Sequence, residues 1–536
     1  MSKLPAFAFF LAFLTLGLGP LSAQSTDEND PGHPFRVNFG AETINLDPQK
    51  SQTTEEAEIY TAFYEGLVVY DPLSLRPQPG AAESWAFSKD GKTLTFTLRP
   101  GLRFSDDTPL TAQDFVASWI RLLDPATQAP YASLLDAVKG AKAWREGKLT
   151  DPSKLGLRAE SATKLVIELN QPAPELVSIL CHYAFVPLSA GFRKSGQGFP
   201  ASDGPYAVVS RTPKKWILVK NPLYWDRANV QIPKLVFTFS DDAEKVTEAF
   251  KEGNYEWVSD GIDGSAVLSD RLISAFPLFG TTFLYFRVDS KPWNEARVRQ
   301  ALWLAAPVQE LRKPYIQPTS VLIPTFEGYP SPKGLLKSDK EQAVKLLAQA
   351  GYPGGKGLPP VVVALPEGSE SARILELLKS AWTPLGIKVV GKTITGRYYD
   401  QIDKTPHVIG YFSWVGDYLD PTTFLLLWKS DSSLNSFGMS DPRYDAILKK
   451  AEYLSGEPRL KLLASAEAYL LDKGLLLPLS HSPGFSLIDR ESVGGWYPNP
   501  LDIHPFKNLY WKALKPWKDA VRFDFIPHLG YNPPHA

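Results

Sequence analysis

Strands and helices alternate between residues 359 and 428, and this alternation restricts the fold more than any other feature of the chain. The helical segment "ESARILELLKSAWTPLG" stops at Gly386 and is followed by the strand "IKVVGKTI". After a polar segment comes "HVIGYFSW" (407–414), which has the apolar character of a buried strand. Strands separated by helices pair in parallel, and their helices cover the faces of the sheet. This part of the sequence therefore predicts an α/β fold.

Two acidic residues follow the last of these strands, in "SWVGDYLDPTTFLLLW". Asp420 precedes Pro421, so it is interpreted as a helix N-cap ahead of the residue best suited to the first helical position. Asp417 has no such local role, because it lies three residues before the cap. Ligands of parallel sheets bind beyond the carboxyl ends of strands. The location of Asp417 therefore favours a ligand anchor over an acid on a surface loop.

The rest of the chain predicts a mixed organisation with more than one core. A chain of 536 residues is too long for one hydrophobic core and predicts two or three domains. Thr111 and Asp114 in "TAQDFVASWIRLL" form a capping box ahead of an amphipathic helix. Further strands are predicted in "TLTFTL", "TKLVIEL", "KWILVK", "KLVFTF" and "FLYFRV".

The charge balance excludes polyanionic partners. The 57 lysines and arginines nearly match the 58 aspartates and glutamates, so no excess charge attracts nucleic acid or an anionic membrane. The 14 tryptophans and 22 tyrosines suit carbohydrate or peptide binding, and equally an aromatic core. We predict no nucleic-acid partner.

The first 23 residues have the layout of a secretory signal peptide. Lys3 is followed by an apolar run to Leu18, a Gly-Pro break and the small-residue site Leu21-Ser22-Ala23, which predicts cleavage before Gln24. A membrane anchor is the alternative, but the apolar run is shorter than the roughly 20 residues of a spanning helix. No cysteine near the cut could accept a lipid anchor. We predict a periplasmic protein.

No catalytic or metal-binding pattern is found. The single cysteine, Cys181, has apolar neighbours and is interpreted as an inert buried thiol, with His182 beside it in the core. The seven histidines show no metal-site spacing, and the glycines of 351–360 lack the spacing of a phosphate loop. A nucleophile elbow is absent, and the pair Asp106-Asp107 has no partner acid. We therefore predict no metal, no cofactor and no catalytic residue.

Six segments follow one another in an order typical of one family. On these segments the chain resembles the periplasmic oligopeptide-binding proteins of ABC importers, which are solute-binding proteins of family 5. The resemblance runs from about residue 36 to residue 512. The segments are "INLDPQK" (44–50), "YEGLVVYDP" (64–72), "AAESWAFSKDGKTLTFTLRPGLRFSDDTPLTAQDFVASW" (81–119), "GPYAVV" with "NPLYWD" (204–226), "NEARVRQAL" (294–302) and "SWVGDYLDPTTFL" (413–425).

The resemblance implies a bilobed periplasmic-binding-protein fold of α/β class, with mixed sheets, two hinge-linked lobes and an extra domain. It also implies that the chain is a monomer that captures short peptides in a closing cleft and delivers them to the permease subunits of an ABC importer. The implied division is domain I from residues 36–64, 187–287 and 486–520, domain II as the insert 65–186, and domain III from 288–485.

The resemblance also implies a set of ligand-binding residues. In the family an aspartate in the tryptophan-containing loop accepts the α-ammonium group of the peptide, and that position matches Asp417. The peptide binds as an extra β-strand, and main-chain pairing gives affinity without reading side chains. The matching positions are Ser413, Trp414 and Val415 on one side and Gln52, Thr53 and Thr54 on the other. Tyr418, an aromatic residue beside Asp417, is also predicted to contact the ligand.

The chain departs from the family where the peptide carboxylate is held. Well-studied members use basic side chains of domain III, including an arginine shortly before the tryptophan, where this chain has Tyr411. The nearby basic candidates are Arg397 and Lys404. Either ligand length is loosely specified, or the ligand is an amine-bearing molecule other than a standard short peptide.

Other functions stay open on the sequence alone. A sugar could stack on Trp414, Tyr418 or Tyr285, although core packing explains such residues equally well. The same fold could serve a nickel or haem binder, or a periplasmic chaperone or sensor without an importer. A secreted hydrolase is the remaining alternative.

Overall fold

The computed structural model describes residues 33–40, 44–196, 198–262 and 273–513. The predicted signal peptide, 1–23, lies outside the described residues. Among the helices that are described, none has both the length and the apolar character needed to cross a membrane.

A ten-stranded mixed sheet forms the framework of the protein. Its strands lie in the order Val389–Ile394, Val361–Pro366, Ile409–Val415, Ile273–Phe286, Leu476–Ile488, Trp257–Val258, Phe35–Phe39, Lys234–Phe239, Lys215–Lys220 and Tyr206–Thr212. The predicted mixed α/β class is confirmed.

The alternation of strands and helices between 359 and 428 forms parallel pairs, as predicted. Val361–Pro366 pairs in parallel with Val389–Ile394 over its whole length, and the helix Ser369–Trp382 connects them. The same strand pairs with Ile409–Val415 at only two positions, Val363 with Ile409 and Ala364 with Gly410. Beyond Gly410 the two strands diverge, so this side of Ile409–Val415 has an open edge.

Two long strands, Ile273–Phe286 and Leu476–Ile488, run through the middle of the sheet and are paired with each other. Their pairing is interrupted by register shifts between Pro277 and Thr281 and between Thr282 and Phe283. We call the part built on the five strands from Trp257–Val258 to Tyr206–Thr212 the first lobe. The part built on Val389–Ile394, Val361–Pro366 and Ile409–Val415 is the second lobe. The proposed boundary at 287 follows the first long strand, and the one at 485 falls within the second; the domain division stays a prediction.

An extra domain packs beside the two lobes. It contains a four-stranded antiparallel sheet in the order Ala82–Phe87, Thr93–Leu98, Lys164–Glu168 and Leu157–Ser161. The helix Ala112–Leu123 covers this sheet and begins at the predicted capping box, where the Asp114 carboxylate accepts the Thr111 N–H at 2.9 Å.

Shorter elements complete the fold. Two-stranded sheets are formed by Val68–Tyr70 with Pro77–Pro79 and by Val493–Gly494 with Tyr510–Trp511. The other α-helices are Thr54–Phe63, Ala141–Arg145, Leu176–Ile179, Ala190–Ser195, Ala243–Lys251, Ala296–Ala305, Val308–Arg312, Lys340–Gln349, Tyr398–Gln401, Thr422–Leu425, Pro442–Ala451 and Gly456–Asp472.

Each lobe has its own hydrophobic core. Phe35, Phe237 and Trp257 are buried under the first lobe, and Trp303 and Trp382 are buried under the second. A third core joins the extra domain to residues 414–428. The extra domain therefore packs against the loop that carries Asp417.

Candidate ligand-binding site

A cavity of about 460 Å³ lies between the lobes, at the open edge of Ile409–Val415. We call it the interlobe cavity. Its volume falls in the range typical of small-molecule sites. It is lined by Gly40, Gln52–Glu55, Ala57, Tyr60, Thr61, Tyr64–Gly66, Val69, Tyr70, Tyr131, Cys181–Tyr183, Val186, Pro205, Asp260, Arg397–Asp400, Ser413–Asp417, Leu501, Ile503, Pro505 and Lys507.

Asp417 lies where the strand Ile409–Val415 runs into the cavity wall. Gly416 lets the chain pack closely there, because a Cβ at this position would lie 2.8 Å from the ring of Phe279 and 2.9 Å from Thr423. The Asp417 side chain is only 7% exposed. The Tyr70 hydroxyl donates to the Asp417 carbonyl at 3.0 Å, which ties the loop to the extra domain.

The hydroxyl of Thr423 holds both the backbone and the side chain of Asp417. It accepts the Asp417 N–H at 3.0 Å and donates to Oδ2 of the carboxylate at 3.2 Å. Its second lone pair accepts the indole N–H of Trp414 at 3.4 Å. All three hydrogen-bonding positions of this hydroxyl are therefore used, and they fix Trp414 and Asp417 relative to each other.

His182 faces the other oxygen of this carboxylate. Its Nε2 lies 3.4 Å from Asp417 Oδ1, while its Nδ1 accepts the backbone N–H of Ala184 at 3.3 Å. A nitrogen that accepts a hydrogen bond carries no proton, so the ring carries a proton on Nε2, the nitrogen nearer to Asp417. His182 is buried, as interpreted from the sequence, but its polar partner is Asp417 rather than Cys181.

The Asp417 carboxylate accepts a hydrogen bond from Thr423 but is not paired with a strongly basic side chain of a described residue. In the part of the chain that the structure describes, no lysine or arginine forms an ion pair with it. A buried carboxylate is expensive unless it is paired, and a ligand cation would supply the missing charge. The arrangement is therefore suited to an ammonium group.

The predicted backbone segments lie on the cavity wall. Ser413, Trp414 and Val415 line it from the second lobe, and Gln52, Thr53 and Thr54 line it from the first. Thr53 also caps the helix Thr54–Phe63, because its hydroxyl accepts the N–H of Glu56 at 3.3 Å. The two segments predicted to contact one ligand thus face a common space.

Two of the aromatic candidates do not line the interlobe cavity. Tyr418 is 2% exposed, and its hydroxyl is 3.1 Å from that of Thr422. Tyr285 is equally buried, and its hydroxyl is 2.9 Å from Nε2 of His407. Both are core residues, so this geometry does not support direct contact of either side chain with a ligand.

Both basic residues of the lining are paired with buried glutamates. Arg397 of the second lobe lies 3.0 Å from Glu56 of the first, and 3.1 Å from Asp400. Lys507 lies 2.7 Å from Glu65. Arg397 therefore bridges the lobes across the cavity, whereas Lys404, the other carboxylate candidate, is not part of the lining.

Acidic residues outnumber basic ones on the cavity wall. The lining includes Glu55, Glu65, Asp260, Asp400 and Asp417 against Arg397 and Lys507. Burial, with the nearby Asp260 carboxylate, raises the pKa of Glu55 to about 8. Glu55 is thus mainly protonated at neutral pH, and the surplus negative charge that remains favours cationic ligands.

The comparisons with known proteins agree with this geometry. Residues 76–436 match the sequence model for "Bacterial extracellular solute-binding proteins, family 5 Middle", which covers more than half of the chain. The chain belongs to the family 5 solute-binding proteins. The periplasmic oligopeptide-binding protein OppA of Escherichia coli (strain K12) is 30% identical, and the match covers 88% of this chain and 91% of the relative.

Solved structures of this family show the same bilobed fold. The periplasmic oligopeptide-binding protein OppAIV of Borrelia burgdorferi, titled an oligopeptide ABC transporter, superimposes with a TM-score of 0.81 at 26% identity, covering 89% of this chain and 99% of that one. The E. coli murein tripeptide binding protein MppA superimposes with a TM-score of 0.79 at 28% identity, and the match covers 90% of this chain and 99% of MppA. The unliganded open form of MppA superimposes with a TM-score of only 0.62, and the match covers 89% of this chain and 97% of that structure. The lobes of this family 5 protein are therefore arranged differently from those of that open form.

Sequence reasoning missed several residues that shape the site of this family 5 protein. Thr423, Tyr70 and Tyr131 act on Asp417 or its neighbours, and their roles depend on packing between segments far apart in the chain. His182 was noticed only for its place beside Cys181. The segment "CHY" (181–183) was the one signal for His182 in the sequence, and it did not identify Asp417 as the partner of His182.

Proposed function

We propose that this protein captures short peptides that have a free amino terminus and delivers them to an ABC importer. The observation that carries the proposal is the buried carboxylate of Asp417, which accepts a hydrogen bond from Thr423 but has no lysine or arginine partner among the described residues. It lies at the open edge of the strand Ile409–Val415, where a peptide can add as a further strand. The names of OppA and MppA support the same ligand class.

In this proposal the ligand ammonium pairs with Asp417 and the ligand backbone pairs with Ser413 and Val415. Gln52, Thr53 and Thr54 complete the enclosure from the first lobe. The protein acts as a monomer, binds without catalysis and passes its cargo to permease subunits. The ABC transporter title of the Borrelia structure supports that partner.

We further infer that the mature protein is periplasmic and begins at Gln24. The signal-peptide layout of residues 1–23 supports this, as does the periplasmic location in the name of E. coli OppA.

The function is tested by native mass spectrometry of protein released from the periplasm by osmotic shock. A closed cavity retains its ligand, so we expect the mass of residues 24–536 plus heterogeneous additions of short-peptide mass. Mild acid should release these additions, and fragmentation should identify them as peptides. Uniform addition of one non-peptide amine would instead support the alternative solute, and a protein that is empty in every preparation would contradict the proposal.

Ligand binding should close the lobes, because a ligand held by both Asp417 and the Gln52–Thr54 segment must bridge them. The ion pair of Arg397 with Glu56 crosses the same gap. We expect the radius of gyration, measured by small-angle X-ray scattering of ligand-free protein, to fall when dialanine is added. N-acetyl-dialanine at the same concentration is the control and should leave it unchanged. An identical radius with and without saturating dialanine would rule out closure.

A further inference from the structure

At the open edge of Ile409–Val415, the hydroxyl of Tyr399 occupies a position where a ligand strand would pair. Gly416 donates its N–H to Phe279 of the neighbouring strand at 2.8 Å. Backbone groups alternate in direction along a strand, so residues 412, 414 and 416 face that neighbour. Tyr411, Ser413 and Val415 therefore direct their N–H and C=O groups to the other side, where the cavity lies.

Tyr399 occupies both backbone groups of Ser413. Its hydroxyl accepts the Ser413 N–H at 3.0 Å and donates to the Ser413 carbonyl at 3.3 Å. One hydroxyl thus makes the two hydrogen bonds that an antiparallel partner residue would make. The neighbouring Tyr398 does something different, because its hydroxyl bridges the Tyr411 N–H and the Ala364 carbonyl of two strands already in the sheet.

Tyr399 lies on the cavity surface rather than in the core. It belongs to the short helix Tyr398–Gln401, lines the cavity and is 39% exposed. Its ring contacts Tyr398 and Phe412 edge-on, with centroids 5.4 and 5.5 Å away. An exposed side chain of this kind can be displaced, but displacement loses the two hydrogen bonds to Ser413.

The position of Ser413 relative to Asp417 sets which ligand residue meets Tyr399. A ligand whose ammonium group is at Asp417 runs from residue 417 toward residue 413, antiparallel to the strand. Its first residue then lies opposite Val415. Because pairing positions repeat every two residues, its third residue lies opposite Ser413.

We propose that the Tyr399 hydroxyl is a length determinant that favours dipeptides, because it occupies the strand position that the third residue of a longer peptide needs. This inference rests on the proposed function and narrows its ligand class. A dipeptide pairs with Val415 and leaves Tyr399 in place. A tripeptide either displaces the hydroxyl or leaves its third residue unpaired.

Calorimetric titration of dialanine and trialanine into wild type and Tyr399→Phe tests the proposal. Phenylalanine keeps the ring and removes the hydroxyl, so Ser413 becomes free to pair. We expect the affinity for trialanine to rise about three- to tenfold, the value of about one net hydrogen bond, with dialanine nearly unchanged. Trialanine methylated on the nitrogen of its third residue cannot donate to the Ser413 carbonyl, and it should gain much less.

Tyr453→Phe is the matched control, since Tyr453 is exposed and lies outside the cavity lining. It should leave both affinities unchanged. If wild type binds both peptides but Tyr399→Phe leaves the ratio of their affinities unaltered, the length determinant is refuted while peptide binding stands. If wild type binds neither, the proposed function fails and the length determinant fails with it.

Discussion

Asp417→Asn should weaken the binding of dialanine by about 30-fold or more, which corresponds to roughly 2 to 5 kcal/mol. The substitution keeps the shape of the side chain and its place beside Thr423 while removing the negative charge. The ligand ammonium then remains enclosed without a counter-charge, and a desolvated charge pair is worth far more than one at the surface. The melting temperature of the empty protein should change little, because no ion pair with lysine or arginine is lost.

Acetylation of the peptide supplies the second arm of a thermodynamic cycle. N-acetyl-dialanine lacks the ammonium group, so it should bind wild type much more weakly than dialanine does. It should bind Asp417→Asn about as well as dialanine binds that variant, since both changes remove the same contact and their effects do not add. Equal binding of acetylated and free dialanine by wild type would exclude Asp417 as the amine anchor.

Asp420→Ala should do the opposite and lower stability by about 3 kcal/mol without changing the affinity of the folded protein. The Asp420 carboxylate accepts the N–H of Thr422 at 2.9 Å, which supports its predicted role at the helix start, although Pro421 rather than Asp420 occupies the N-cap position. It also forms a two-point ion pair with Arg459, at 2.7 and 3.0 Å. Losing a cap costs about 1 kcal/mol, and a hydrogen-bonded charge partner adds roughly 1.5 to 3 kcal/mol.

Urea unfolding of Asp420→Ala, Arg459→Met and the double variant measures this coupling. Asp420 and Arg459 are mostly buried, so each single variant leaves an ionised partner without its counter-charge. The double variant should therefore lose less free energy of unfolding than the sum of the two single variants. Additive losses, or a fall in dialanine affinity with Asp420→Ala, would contradict a purely structural role.

Local patterns in the sequence predicted the features that depend on a few neighbouring residues. The capping box of Thr111 and Asp114 closes within one turn of helix, and Gly386 has the left-handed φ of 74° that ends a helix. The acid beyond the strand, Asp417, was found in the same way, because the apolar run of 407–414 ends at Trp414. The bilobed arrangement followed from the resemblance to a family rather than from any periodicity.

Features that depend on distant segments were not predictable from patterns. Arg397 and Glu56, 341 residues apart, meet only because two lobes close on one cavity. Asp420 was recognised as a helix-start residue, but its partner Arg459 comes from another helix. Tyr399 is unremarkable in "TGRYYDQ", and nothing local says which of two adjacent tyrosines reaches Ser413. Such contacts follow from tertiary packing, which a single sequence does not display.

The two long strands Ile273–Phe286 and Leu476–Ile488 restrict how the protein can move. Within the described residues, the chain passes between the lobes along these strands, and their hydrogen bonds make them one ribbon. A two-stranded ribbon bends out of its plane more readily than within it. The lobes should therefore open by rotation about one axis rather than in any direction. The longer interruption of its pairing lies around Phe279, whose carbonyl accepts the N–H of Gly416. Because Gly416 precedes the proposed amine anchor, we expect Asp417 to move little when the opposite wall of the cavity closes.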